Sequence, residues 1–134
     1  MIENMDYSSK VLDLNMLTEL TTDTKLAFLR AVSYRTTVEG RPFFRMVFMD
    51  VNGFSVIGRM FNINNYDKTA KIMNRYVGHV CLLDFDVDFP FGEASLSIKK
   101  ISTVKPEMES ELLAVFKNGP LDLVAMSNKY NTAL

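Results

Sequence analysis

Two groups of side chains along one predicted strand are of types that could do chemistry. His79 and Cys81 are two residues apart, so their side chains share one face of the strand and could meet a metal ion or each other. Asp84, Asp86 and Asp88 alternate with apolar residues, which puts three carboxylates on one face. Carboxylate oxygens are the ligands of Mg²⁺ and Ca²⁺, so the acidic row suggests a metal-dependent nuclease.

A structural role is favoured for both groups. His79 is the only histidine, so a site with several His ligands is excluded, and Cys81 lies in an apolar run where a buried thiol is expected. Same-face neighbours on a strand are about 7 Å apart, and acids there also serve as a solvated face that discourages aggregation. No glycine-rich phosphate loop is present. We therefore predict no catalytic residue, no metal site, no cofactor and no enzyme activity.

Arginine and aromatic residues on one predicted sheet face fit a binding role better. Alternation along two neighbouring strands places Phe44, Met46, Phe48, Val56, Gly58 and Met60 inside, and Phe43, Arg45, Arg59 and Phe61 outside. Bases stack on rings for about 1–3 kcal/mol each, while arginine meets phosphate, which is what single-strand binding requires. The predicted nucleic-acid-binding residues are Tyr34, Arg35, Phe43, Arg45, Arg59, Phe61 and Lys99, with Lys100 as a further extension. Packing of Phe43 and Phe61 under terminal helices remains the structural alternative.

Periodicity and turn residues predict the elements that position these groups. Alternation between turn signals predicts strands at Lys25 to Thr37, Phe43 to Met49, Phe54 to Phe61, His79 to Phe89 and Glu93 to Thr103. Asn52-Gly53 between two apolar runs predicts a tight hairpin. Helical spacing predicts helices at Val11 to Leu20, Tyr66 to Tyr76, Pro106 to Phe116 and, as a short segment, Leu121 to Met126.

Composition limits the classes of protein. The chain has 134 residues with 48% hydrophobic and 23% charged residues, which is typical of one folded domain covering residues 1–134. A barrel at about 25–104 would be flanked by an N-terminal helix at 11–20 and a C-terminal helical segment at 106–127. The net charge of −1 gives no global attraction to phosphate or to anionic lipid, so an anion site must be local.

Location follows from the same features. One cysteine cannot form an intrachain disulfide, and neither a secretory signal nor an apolar run of about 20 residues is recognised. We expect a cytoplasmic protein without a membrane partner.

The order strand, two-stranded hairpin, helix, strand, strand is that of the five-stranded OB barrel. The stretch Arg35-Thr36-Thr37-Val38-Glu39-Gly40-Arg41-Pro42-Phe43-Phe44, followed by Met46 to Asp50 and Gly53, resembles the first half of OB domains in exoribonucleases, replicative polymerases and aminoacyl-tRNA synthetases. The resemblance covers roughly Phe28 to Phe61. It implies a mainly β, antiparallel OB-type barrel with a helix between strands three and four, similar to small single-stranded DNA-binding proteins of bacteria and phages.

Two functions from different classes remain open. The first is a non-catalytic protein that binds single-stranded nucleic acid, DNA rather than RNA, through the Arg/aromatic face. The second is a protein-interaction or structural module of a larger assembly. Apolar sides on the two predicted terminal helices favour a homo-oligomer in either case.

Overall fold

Five strands wrap into a closed barrel in the computed structural model, which describes residues 10–18, 21–61, 63, 65–88 and 94–117. The strands are β1 (Thr22–Thr36), β2 (Pro42–Met49), β3 (Ser55–Met60), β4 (Val80–Asp88) and β5 (Ser95–Thr103). Two helices accompany them: α1 (Tyr66–Tyr76) between β3 and β4, and α2 (Pro106–Lys117) after β5. The predicted mainly β barrel, with its helix between strands three and four, is confirmed.

The barrel is mixed, which corrects the prediction of an antiparallel one. Its strands follow the order β1-β2-β3-β5-β4, and β3 pairs with β5 in parallel, with Gly58 opposite Leu96. All other neighbours are antiparallel. Five strands in a closed ring cannot all alternate in direction, because an odd number leaves one neighbouring pair parallel. The parallel pair is therefore a consequence of closure.

The N-terminal helix predicted at Val11 to Leu20 is wrong for the part of that range that the structure describes. Val11 forms a parallel bridge with Leu26, and the N–H of Leu12 donates to the Leu26 carbonyl at 2.7 Å. Only Leu14–Met16 is helical, as one 3₁₀ turn whose cap residue Asp13 accepts from the Asn15 N–H. Hydrogen bonding to β1 holds the chain extended where local spacing suggested a helix.

Apolar side chains form two layers, one inside the barrel and one outside it. The inner layer contains the predicted interior residues Phe44, Met46, Phe48 and Val56, all at most 5% exposed. Gly58 belongs to the inner face because a Cβ there would lie 2.7 Å from Cε2 of Phe48. The outer layer joins Leu112 and Phe116 of α2 to the barrel residues Val11, Leu26, Met49 and Val80.

Helix α1 spans the predicted residues. The side chain of Asn65 caps its first turn by accepting from the Lys68 N–H at 3.1 Å. Tyr66, Ala70 and Met73 are at helical spacing and pack against the inner layer of the barrel. The basic residues of α1 are exposed on its other side. The helix therefore packs against one end of the barrel and presents a charged surface outward.

The predicted hairpin between β2 and β3 is present and is built around Asp50. Gly53 has a φ of 87°, as the Asn-Gly signal required. The buried Asp50 carboxylate accepts from the N–H groups of Asn52, Phe54 and Leu14 at 2.9–3.0 Å. Because Leu14 is 36 residues away, the same carboxylate ties the N-terminal segment to the hairpin.

Helix α2 confirms the helix predicted at Pro106 to Phe116. Its contact with the barrel includes Glu109, whose Oε1 lies 3.0 Å from Nδ1 of His79. The segment predicted at Leu121 to Met126, and the turn before β5, lie outside the described residues. Among the residues that are described, neither helix has the length and apolar character needed to cross a bilayer.

Candidate nucleic-acid interface

One row of residues runs across the outside of four strands and brings the predicted arginines together. Ser33, Arg45, Arg59 and Ser97 lie opposite one another in turn, on β1, β2, β3 and β5. Arg45 and Arg59 are both partly buried. Within the described ranges no carboxylate lies within salt-bridge distance of either arginine. Among the described residues, two like charges therefore face each other without an anionic side chain between them.

Two aromatic rings lie beside this arginine pair. The rings of Phe43 and Phe61 are stacked, with centroids 5.0 Å apart and planes at 23°. Phe43 precedes Arg45 by two positions and Phe61 follows Arg59 by two, so both rings share the outer face with the arginines. Both are partly buried, which leaves part of each side chain accessible. The stack is the flat apolar surface on which a base can lie.

Arg41 belongs to the same surface, although the sequence analysis did not select it. Its guanidinium carbon lies 4.8 Å from the centroid of the Phe61 ring, a cation–π contact. Thr37 holds the backbone of this residue, because its N–H donates to the Arg41 carbonyl and its hydroxyl accepts from the Arg41 N–H. Alternation by two could have placed Arg41 on this face, because Arg41, Phe43 and Arg45 are two residues apart in turn. Arg41 was left out because it precedes the predicted strand.

Arg35 completes the cluster from β1. It lies opposite Phe43 in the β1–β2 register, and its side chain is exposed. We call the surface formed by Arg35, Arg41, Phe43, Arg45, Arg59 and Phe61 the Arg/aromatic face. The structure therefore brings together five of the seven predicted residues, and their role in binding remains a prediction.

Tyr34 lies on the other side of β1, away from the Arg/aromatic face. It is opposite Phe44, and their rings meet edge to face with centroids 5.1 Å apart. Its hydroxyl donates to the Ala70 carbonyl of α1 at 3.2 Å and hydrogen-bonds to Asn74. Burial and the neighbouring Tyr66 raise the pKa of the Tyr34 hydroxyl. Tyr34 thus links β1 to α1, and 39% of it is exposed at that junction.

Lys99 lies beside the acidic row of β4. Its Nζ is 3.4 Å from Oδ1 of Asp86, and a bulge at this point lets both Lys99 and Lys100 face outward. Ser97 is opposite Arg59 on one side and Asp86 on the other, so the acidic row begins two strands from the arginine pair. That separation is about 10 Å between backbones. Lys99 is therefore on the acidic side of the barrel, and its role in binding is untested.

Threonines on β1 engage the acidic row. Thr24 donates to Asp84 at 2.6 Å and Thr22 donates to Asp86 at 2.7 Å. The Thr22 hydrogen bond, with a further contribution from Lys99, lowers the pKa of Asp86. Among the described residues, no three His, Cys, Asp or Glu side chains are grouped to hold a metal ion. The row is hydrogen-bonded surface in this structure.

His79 and Cys81, for which the sequence favours a structural role, lie in different environments. Cys81 is fully buried in the barrel, and burial, with the nearby Glu109, raises the pKa of its thiol to about 12. His79 is exposed, and its ring faces Glu109 on α2. The thiol lies 3.6 Å from the backbone carbonyl of His79. A thiol of this kind is protonated at neutral pH, so it is not a nucleophile.

Comparison with solved structures shows the fold. The mitochondrial single-stranded DNA binding protein Rim1 from S. cerevisiae matches in two crystal forms. The first form has a TM-score of 0.51 and 13% sequence identity, and the match covers 64% of this chain and 97% of Rim1. The second form has a TM-score of 0.50 and 11% identity, and the match covers 66% of this chain and 98% of Rim1. The second OB-fold domain of replication protein A from Methanococcus maripaludis has a TM-score of 0.46 and 12% sequence identity. The match covers 70% of this chain and 94% of that domain. No family model and no curated protein sequence matches. The closed five-stranded barrel and its likeness to Rim1 show that this chain has the OB fold.

Proposed function

We propose that this protein binds single-stranded nucleic acid, DNA in preference to RNA, through the Arg/aromatic face and without catalysing a reaction. The observation that carries the proposal is the pair Arg45 and Arg59, which face each other beside the stacked rings of Phe43 and Phe61. Like charges directly opposite on a sheet destabilise it. A phosphate between the two guanidinium groups would relieve their repulsion and accept hydrogen bonds from both.

The shape and charge of the barrel support a single strand as the ligand. The OB fold uses the surface of strands two and three for oligonucleotides, and here that surface carries the arginines and rings. Stacking needs an unpaired base, because the faces of paired bases are covered by their neighbours. The acidic row lies beyond Ser97, on β4. Its carboxylates repel a phosphate backbone, which favours a path for the strand along β2 and β3.

The preference for DNA rests on the structural neighbours. Rim1 is named as a single-stranded DNA binding protein, and the similarity covers nearly all of its chain. Stacking of bases on Phe43 and Phe61 does not distinguish deoxyribose from ribose. We therefore expect a modest difference between DNA and RNA of the same base sequence.

Fluorescence anisotropy with a labelled single strand of mixed sequence tests the proposal. The variant Arg45→Ala with Arg59→Ala is compared with Lys10→Ala and Lys105→Ala, two exposed residues outside the face. Each phosphate contact contributes about −0.7 to the slope of log K against log salt, so the arginine variant loses about 1.4 of slope. An equal loss in the control, or no binding by the wild type at low salt, would reject the proposal.

A protein-interaction module is the second candidate, and one observation favours it. Met16 and Phe54 are 76% and 53% exposed, and they lie in the two segments that the Asp50 carboxylate holds together. We propose a second copy of this chain as the partner at this apolar corner. Sedimentation velocity on the wild type and on Met16→Ser with Phe54→Ser tests it. Association lost in the variant supports a homo-oligomer, and a monomeric wild type contradicts it.

A further inference from the structure

Three basic side chains follow one face of α1 and have no part in the Arg/aromatic face. Lys68, Lys71 and Arg75 are spaced by three and four residues, so they lie in one line along the helix. All three are exposed. In the described part of the chain, no carboxylate comes within 4 Å of their nitrogen atoms. The line is therefore a track of positive charge about 11 Å long.

This track adjoins the end of β1 that carries Arg35. Tyr34, the preceding residue, hydrogen-bonds to Ala70 and Asn74, in the second and third turns of α1. Tyr66 at the start of α1 stacks on Phe44, with centroids 5.1 Å apart. Phe44 lies on the inner face of β2, so α1 packs against the end of β2 that carries Phe43 on its outer face. The partly exposed Tyr34 ring lies at the junction between the two surfaces.

We propose that Lys68, Lys71 and Arg75 form a second phosphate-binding track, which takes the continuation of a single strand that leaves the Arg/aromatic face past Arg35 and Tyr34. The inference rests on the proposed function and extends it to longer strands. A single OB fold covers about 4 to 16 nucleotides, so a short strand fills the first face and a longer one reaches α1. Comparing the binding of short and long strands therefore tests the two surfaces separately.

The test measures binding of labelled DNA strands of about 6 and about 16 nucleotides over a range of salt. The variant Lys68→Gln, Lys71→Gln and Arg75→Gln keeps helix-forming residues on α1 and removes three charges. Its matched control is Lys10→Gln, Arg30→Gln and Lys105→Gln, which removes three exposed charges that lie outside both the Arg/aromatic face and α1. Circular dichroism confirms that both variants remain folded.

We expect the α1 variant to bind the short strand like the wild type and the long strand at least about tenfold more weakly at 0.1 M salt. The slope against log salt should fall by about 2 for the long strand only. An unchanged affinity for the long strand overturns the inference, as does an equal loss in the control. If the wild type binds the short strand but gains nothing from length, only the α1 track fails. If it binds neither strand, the proposed function fails and the track with it.

Discussion

Arg45 and Arg59 lie directly opposite each other on the outer surface of the barrel, in the register that pairs β2 with β3. Side chains in such positions are about 5 Å apart at Cβ, and like charges there cost stability. The described residues offer these guanidinium groups no carboxylate. This repulsion is the reason for proposing that an anionic ligand binds between the two guanidinium groups.

The first prediction is an opposite effect of Arg45→Gln on stability and on binding. Removing one charge relieves the repulsion, so the free energy of unfolding should rise by about 0.2–1 kcal/mol while affinity for single-stranded DNA falls. Urea unfolding and anisotropy measure the two quantities. Arg30→Gln, an exposed arginine of β1 outside the face, should change neither by a comparable amount. A variant that is less stable than the wild type would contradict the argument.

The second prediction concerns Asp86, whose folded pKa is lowered by the Thr22 hydrogen bond and by Lys99. A lowered folded pKa gives stabilisation above the ordinary value of 3.8, which is lost as the pH falls through the folded pKa. In Thr22→Val the pKa should rise towards 3.8, and this acid-dependent loss should shrink. An NMR titration of the Asp86 carboxyl carbon measures the shift, and Thr18→Val is the control. An unchanged titration in Thr22→Val would contradict the assignment.

The third prediction is that Asp50 holds the hairpin and the N-terminal segment together. Asp50→Ala leaves three backbone N–H groups without their acceptor, so the free energy of unfolding should fall by about 3 kcal/mol or more. Asp50→Asn retains one acceptor oxygen, so its loss should be smaller. Urea unfolding of both variants measures the two losses of stability and shows which is larger. A loss below about 1 kcal/mol in Asp50→Ala would show that water replaces the carboxylate.

The fourth prediction is that Cys81 is inert in the folded protein. Burial and Glu109 raise the pKa of its thiol to about 12, so the reactive thiolate is scarce at pH 8 and the sulfur is shielded. A thiol-specific reagent should modify the chain only as fast as it unfolds, and at once in denaturant. Equal rates with and without denaturant would mean that the barrel opens near Cys81.

The barrel could be predicted because its signals are local. Alternation along β2 and β3 separated the inner Phe44 from the outer Phe43, and helical spacing gave both bounds of α1. The N-terminal segment could not be predicted in this way. Its partners are Leu26 and Asp50, which are distant along the chain and leave no local period.

The candidate site also has parts that local sequence signals predict and parts that they do not. Arg45 and Arg59 share a face because the hairpin fixes their register, and a hairpin is a local feature. The position of Lys99 depends on a bulge between β4 and β5, where the register shifts between Asp84 and Phe85. Tyr34 was placed in the groove by sequence, but it lies opposite the inner Phe44, so the alternation along β1 turns its ring away from Arg35 and towards α1. A contact between distant elements decided the position of Lys99, whereas local alternation decided that of Tyr34.

One measurement tests most directly whether a base lies against the Arg/aromatic face. The chain has no tryptophan, so Phe61→Trp introduces a single reporter beside Phe43 and Arg41. Its fluorescence should be quenched as single-stranded DNA is added, with the same midpoint as the anisotropy, because a base stacks on the indole. Phe54→Trp, at the exposed hairpin, should show no such change. DNA binding that leaves the fluorescence of Phe61→Trp unaltered would place the strand elsewhere and contradict the account.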